Sequence, residues 1–166
     1  MIKVSIVMGS KSDLEVMKNC MDMLKEFKIG YEVRILSAHR TPTQAHEYAV
    51  GLRERGIQVV IAAAGGAAHL AGVIAGTTTL PVIGVPIETK ALGGMDSLLS
   101  IVQMPKGIPV ATVAIGKAGA ANAAILAAQI IGVCDEEMAN KLQEYKRTMA
   151  KKVLEDTNVE TYMGKN

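Results

Sequence analysis

Five short apolar runs return along the chain: KVSIVM (3–8), YEVRIL (31–36), IQVVIAAA (57–64), PVIGVPI (81–87) and PVATVAI (109–115). They are near-continuous rather than alternating, which predicts strands buried on both faces, as in a parallel sheet. Between them the period changes. Leu14, Met17, Met21, Leu24 and Phe27 recur at three or four residues, as do Ala45, Tyr48, Ala49 and Leu52, and both sets predict helices. Strand–helix alternation of this kind needs right-handed crossovers and helices on both sides of the sheet, a three-layer α/β/α arrangement. Beyond the last strand, Met138, Leu142, Tyr145, Met149 and Val153 lie along one side of an additional C-terminal amphipathic helix, free to pack on this subunit or on a neighbour. With no repeat, linker or second set of elements, residues 1–166 read as a single domain, and 155–166 as a loosely ordered tail.

The segment 56–87 holds no Asp, Glu, Lys or Arg and is long enough to span a bilayer. Gly65-Gly66, His69, Gly72, Gly76, the threonines at 77–79 and Pro81 interrupt it, so it reads as strand, helix and strand in a buried interior. A net charge of +2 without a basic run, and an aromatic content of 3% with no Trp, argue against a nucleic-acid partner. Mean hydropathy is +0.25, carried by aliphatic residues and Met. That excess is read as surface buried between subunits. The opening MIKVSIVMGS turns polar too soon for a signal peptide. Cys20 and Cys134 lack metal spacing and read as buried reduced thiols, which places the protein in the cytoplasm.

In a sheet of this kind, ligands sit beyond the carboxyl ends of the strands. The first such loop, GSKSD, supplies Gly9 for a tight turn, then Ser10, Ser12 and Asp13. Ser12 with Glu15 makes a helix capping box, which leaves Ser10 and Asp13 unexplained. The other reading is a phosphate cradle of hydroxyls and free N–H groups, with Asp13 holding ribose hydroxyls.

In the second loop, SAHRTP, Thr41, Pro42 and Gln44 read as N-cap, first helical residue and capping partner. His39 and Arg40 then stand just before a helix start. Arg40 there can clamp a phosphate, and its charge with the helix dipole favours a neutral His39, as a general base requires. The alternative is two polar loop residues facing water. The third loop, AAAGGAAHLAG, has glycines where backbone must approach closely, but not the spacing of a dinucleotide fingerprint. His69 within it reads either as a satisfied core histidine or as part of the same pocket. His46, inside a helix beside Glu47, is assigned to the surface. Together these loops describe a small anion-binding, acid–base pocket.

Named absences remove other functions. The ends of strands one and three lack the acidic cluster of a phospho-accepting regulatory domain, and aromatic walls for a flavin are missing. AIGK at 114–117 lacks the upstream glycine of a P-loop, and no metal is expected because no His, Cys and carboxylate set has ligand spacing.

MGSKSD, SAHRTP, AAAGGAAHLAG and DSLLSIVQMPKGIPVATVAIGKAGAANAAILAAQI together resemble the N5-carboxyaminoimidazole ribonucleotide mutases of purine biosynthesis, from about Val4 to Ile131. The resemblance implies a flavodoxin-like subunit in a homo-octamer, with active sites at subunit junctions and no cofactor. It implies transfer of a carboxylate from N5 to C4 of a phosphorylated aminoimidazole ribonucleotide, by loss and recapture of CO2, with His39 removing the C4 proton. Ser10, Asp13 and Arg40 match nucleotide-binding positions and Ser12 a further phosphate contact. His69 and the backbone of Gly65, Gly66 and Ala67 would line the CO2 pocket. A closed wall of Gly, Ala and Leu with few charges suits the retention of CO2.

A related branch carboxylates the unmodified ribonucleotide with free CO2; there Lys follows the histidine and AAHL has no counterpart, so Arg40 and His69 favour the mutase. A non-catalytic nucleotide-binding module is the alternative of another class. Two departures from the usual pattern stand out: Ala71 where Pro is common, and Glu88-Thr89 where Gln-Ser is typical.

Overall fold

The computed structural model describes residues 1–157. Five parallel strands, β1 (Ile2–Met8), β2 (Gly30–Ile35), β3 (Val59–Gly65), β4 (Val82–Ile87) and β5 (Ala111–Thr112), lie in the order β2-β1-β3-β4-β5. This is the flavodoxin-like order. The chain winds outward from β1 to β2, then crosses back to β3 and continues the other way. That reversal leaves a crevice between the ends of β1 and β3, where such sheets bind ligands.

Helices cover both faces: α1 (Leu14–Glu26), α2 (Pro42–Val50), α3 (Leu70–Ala75), α4 (Met95–Val102), α5 (Gly116–Gly132) and α6 (Glu136–Glu155). Side chains alternate across each strand, so each strand feeds two cores. Val4, Ile6 and Met8 of β1 join Ile61 of β3 and Ile83 of β4 under α1 and α5. Val7, Val60 and Ala62 face the other way, against Leu70 and Ile74 of α3 and Ile101 of α4. Each large aliphatic side chain so buried contributes about 1.5–3 kcal/mol. The alanines of AGAANAAILAA serve packing: Ala120, Ala123, Ala124, Ala127 and Ala128 are fully buried and let α5 lie close to the sheet.

At β4 the sheet needs a glycine. A Cβ on Gly84 would fall on the Ile101 side chain and within 2.9 Å of Val110, so its absence seats α4 directly on the strand. Near the β2 edge a polar inlay is closed on itself. Ser5, with no exposure, lies 2.9 Å from the Tyr48 hydroxyl, which donates to Glu32; Arg55 donates to the same carboxylate at 3.2 Å. Desolvation pushes the Glu32 carboxyl up, but the hydrogen bonds from Tyr48 and Arg55 outweigh it and hold the group below its usual range.

The segment 56–87 does divide into β3, α3 and β4, and among the described residues no helix is long and apolar enough to cross a membrane. The fifth strand and one cysteine depart from expectation, and the C-terminal helix finds its place. The fifth run pairs only over Ala111–Thr112, because Pro109 has no N–H to donate at an edge position. The C-terminal helix packs here through Met138, Leu142 and Tyr145, whose ring meets Phe27 edge-on at 5.3 Å, while Met149 and Val153 stay exposed. It continues to Glu155, and 158–166, most of the expected tail, lies outside the described residues. Finally, only Cys20 is buried, with desolvation pushing its thiol up to about 12. Cys134 is exposed in the turn after α5, where the helical burial pattern has ended.

Candidate active site

The loops that follow β1, β2, β3 and β4 open onto one cleft of about 860 Å³. Its lining includes every residue singled out from the sequence: Ser10, Ser12 and Asp13, then His39 and Arg40, then Gly65, Gly66, Ala67 and His69. The sheet order explains the convergence, since β2 and β3 flank β1 on either side.

The first loop is held by its own polar groups. Asp13 is 6% exposed; one carboxylate oxygen accepts the Ser10 N–H at 3.1 Å and the other accepts the Ser12 hydroxyl at 3.2 Å. The Ser10 hydroxyl accepts the Ser12 N–H at 3.3 Å. The capping box therefore joins Ser10 and Asp13 across the 3-10 turn Lys11–Asp13, not Ser12 and Glu15. Glu15 instead pairs with Lys18 at 2.7 Å on the exposed face of α1. The correction has a local cause: the turn starts one step before α1, so the first unpaired N–H groups lie there.

Burial raises the Asp13 carboxyl above its ordinary 3.8, and the hydrogen bonds from Ser12 and Ser10 and the charge of Arg40 only partly offset this. A raised carboxyl pKa means that ionisation is disfavoured in the folded state. The cost is present above the folded pKa and vanishes as pH falls below 3.8. Asp13→Asn is therefore expected to melt at or above the wild-type temperature at pH 7 without ligand, with that advantage shrinking towards pH 4. If Asp13 holds ribose hydroxyls as the sequence resemblance implies, the same variant should bind a phosphorylated ribonucleotide about 10-fold or more weakly. Melting curves at the two pH values with one titration check both; a variant several degrees less stable at pH 7 would contradict the sign.

In the second loop Pro42 does occupy the first turn of α2, but Thr41 caps nothing with its side chain. Its hydroxyl donates to the Ser37 carbonyl at 3.0 Å and accepts the Ser37 N–H at 2.9 Å, closing SAHRT into a compact ring. The Ser37 hydroxyl, 3.1 Å from the Arg40 N–H and 3.4 Å from its Nε, accepts from both. The guanidinium then reaches across to donate to the Gly9 carbonyl at 3.0 Å, and the Gly9 N–H donates to Ala63 of β3 at 3.1 Å. Arg40 thus ties the loop after β2 to the loop after β1, which is itself bonded to β3.

His39 Nε2 lies 2.9 Å from His69 Nδ1, with the rings edge to face at 4.9 Å between centroids. One ring must donate and the other accept, so that junction carries a single proton. His69 is exposed to the cleft beside His39 rather than satisfied in the core, whereas His46 lies on the surface of α2 as expected.

The third loop turns at Gly66, whose φ of +70° favours glycine. Its peptide groups are held from α4. The Gly66 N–H donates to the Ser97 hydroxyl at 2.9 Å and Ser97 donates to the Ile87 carbonyl at 2.7 Å, while the Ser100 hydroxyl, bonded to the Asp96 carbonyl at 2.7 Å, also lies 3.3 Å from the Gly66 carbonyl. Sequence reasoning passed over Ser37, Ser97, Ser100 and the cleft-lining Lys90, and it marked Glu88-Thr89 only as a departure from the usual pattern without giving them a place in the site. Glu88, Thr89 and Lys90 all follow β4, where the strand-end rule puts ligand loops. The cleft accordingly carries more charge than the expected wall of Gly, Ala and Leu.

Residues 3–152 match the family described as AIR carboxylase. The chain belongs to the AIR carboxylase family. Within the AIR carboxylase family, an N5-carboxyaminoimidazole ribonucleotide mutase of Bacillus subtilis (strain 168) is 59% identical over 155 residues, covering 93% of this chain and 96% of the relative. One of the same description from Pyrococcus horikoshii is 58% identical over 161 residues, covering 97% of this chain and 90% of the relative. The crystal structure of Treponema denticola PurE superposes with a TM-score of 0.85 at 30% identity, covering 97% of this chain and 100% of that one.

Proposed function

We propose that this chain is an N5-carboxyaminoimidazole ribonucleotide mutase of purine biosynthesis. The observation that carries the reading is the hydrogen-bonded His39–His69 pair in the same cleft as Ser10, Asp13 and Arg40. An anion clamp, a carboxylate for ribose hydroxyls and a proton-transferring pair are what a phosphorylated imidazole substrate requires, and the mutase names of the relatives agree with it.

In this reading Ser10, Ser12 and Arg40 hold the phosphate and Asp13 the ribose. The N5–carboxyl bond breaks, its electron pair returns to N5, and N5 takes up a proton. C4 attacks the retained CO2, and His39 removes the C4 proton. One proton is gained at N5 and one lost at C4, so the net change is an isomerisation that needs no cofactor. Gly65, Gly66, Ala67 and His69 form the wall against which CO2 is kept.

The working form is a homo-oligomer, an octamer in this reading, with its sites at subunit junctions and located in the cytoplasm. Supporting the assembly, Met95, Leu99 and Val102 of α4, with Leu92 in the turn before it, are exposed apolar residues, each 46–63% exposed. Light scattering should give one species of about eight subunits. The enzymatic test offers purified protein the N5-carboxy substrate and, separately, the unmodified ribonucleotide with bicarbonate. Conversion of the first to the C4-carboxylated product is expected. Turnover of the second alone would reject the mutase in favour of a direct carboxylase, and binding without turnover would leave a binding module.

A further inference from the structure

Ser97 has no exposure, yet it sits in a helix where Met95, Leu99 and Val102 are exposed. A buried hydroxyl is retained only where its hydrogen bonds are met, and this one has two partners, the Gly66 N–H and the Ile87 carbonyl. Both belong to strand ends that open on the cleft. The Ser100 hydroxyl, one turn along α4, donates chiefly to the Asp96 carbonyl at 2.7 Å and makes a weaker shared contact with the Gly66 carbonyl at 3.3 Å. In a trans peptide the N–H and C=O point in opposite directions. With the Gly66 N–H turned to Ser97, the Gly65 carbonyl points away from α4. With the Gly66 carbonyl turned to Ser100, the Ala67 N–H points away from α4 as well. That N–H has no acceptor among the described residues, and Ala67 is exposed where it lines the cleft.

We propose that Ser97, assisted by Ser100, is a positioning residue that fixes the Gly65–Gly66–Ala67 peptides so that the Ala67 N–H is presented to the carboxylate carbon's oxygens during transfer. The serines touch no substrate; they act through the backbone. A glycine at φ +70° has a low barrier to peptide reorientation, so without these bonds the donor samples other directions. A fixed donor matters most while CO2 is free between the two bond-making atoms, because its oxygens gain charge as C4 attacks. Loss of the clamp therefore affects retention and recapture more than binding of the ribonucleotide, whose phosphate and ribose lie with Ser10, Asp13 and Arg40. The inference rests on the mutase reading.

The test measures, for N5-carboxy substrate consumed, how much becomes C4-carboxylated product and how much is released as unmodified ribonucleotide and CO2, after subtracting the uncatalysed loss. Ser97→Ala should lower kcat by up to about 10²-fold, the scale of a misplaced reacting group. KM should stay within about three-fold of wild type, and the fraction released should rise severalfold. Ser100→Ala should move the fraction in the same direction by less, and it decides the matter if Ser97→Ala does not fold. Ser5→Ala is the control: it removes an equally buried hydroxyl bonded to Tyr48 in the core, so it should lower the melting temperature and leave the partition unchanged. Wild-type partition in Ser97→Ala, or in Ser100→Ala when that variant decides, overturns the proposal, as does a Ser5→Ala shift of equal size. If wild type itself converts none of the N5-carboxy substrate, the mutase reading has failed instead.

Discussion

His39→Asn should yield a folded protein that binds the ribonucleotide within a few-fold of wild type and turns over about 10³-fold more slowly. The size is that of a general acid–base group removed from its position. Asparagine keeps a polar atom near His69, so the loop loses little structure, but its amide neither takes nor gives a proton near neutral pH. In the proposed reading the affinity is set elsewhere, by Ser10, Asp13 and Arg40, which line the same cleft from the neighbouring loop ends. His39 belongs to a ring closed by Thr41 and Ser37 and not by its own imidazole, which is why its removal should leave the ring standing. Calorimetric titration and steady-state kinetics on the same preparation separate the two quantities. A variant with near-normal kcat would move the proton-transfer role to another group, His69 being the only other imidazole in the cleft among the described residues.

The sheet was legible because burial on both faces leaves little choice of residue. Runs such as IQVVIAAA have no polar side to betray a second arrangement, and strand–helix alternation then limits the topology to very few orders. The site was legible where a residue type is costly elsewhere. A histidine and an arginine directly after a strand have few structural uses at that point. Capping was misplaced by two residues at Ser12 and by side-chain partner at Thr41, since both depend on where the first turn starts, a matter of one dihedral angle.

Helix α4 defeated the pattern for a more instructive reason. In MDSLLSIV the serines and Asp96 read as the wet face and the leucines as the core face. In the structure Ser97 is fully buried, while Met95 and Leu99 are each 51% exposed. Only Ile101 faces the sheet as its character predicts. The inversion arises because two strand-end loops need hydroxyl partners beneath the helix, and Gly84 lets the helix come close enough to supply them. Partners separated by 31 residues in sequence leave no local signal.

Arg40→Ala should weaken binding of the phosphorylated ribonucleotide by about 10²-fold, the loss expected when charge-assisted hydrogen bonds to a phosphate are removed. Two effects are entangled in that number. Arg40 spends one donor on the Gly9 carbonyl and shares Nε with Ser37, so truncation also frees the loop after β1. The remaining guanidinium N–H groups are available to a ligand. Comparing the ribonucleotide with the corresponding nucleoside, which lacks the phosphate, separates them. A phosphate contact predicts a large loss for the first ligand and a small one for the second. Equal losses for both would mean that Arg40 serves only as a tie between loops. Arg40→Lys sharpens the comparison, because a lysine restores the charge but not the fork that reaches Gly9, Ser37 and an anion together. It should therefore regain part of the ribonucleotide affinity and none of the loop's rigidity.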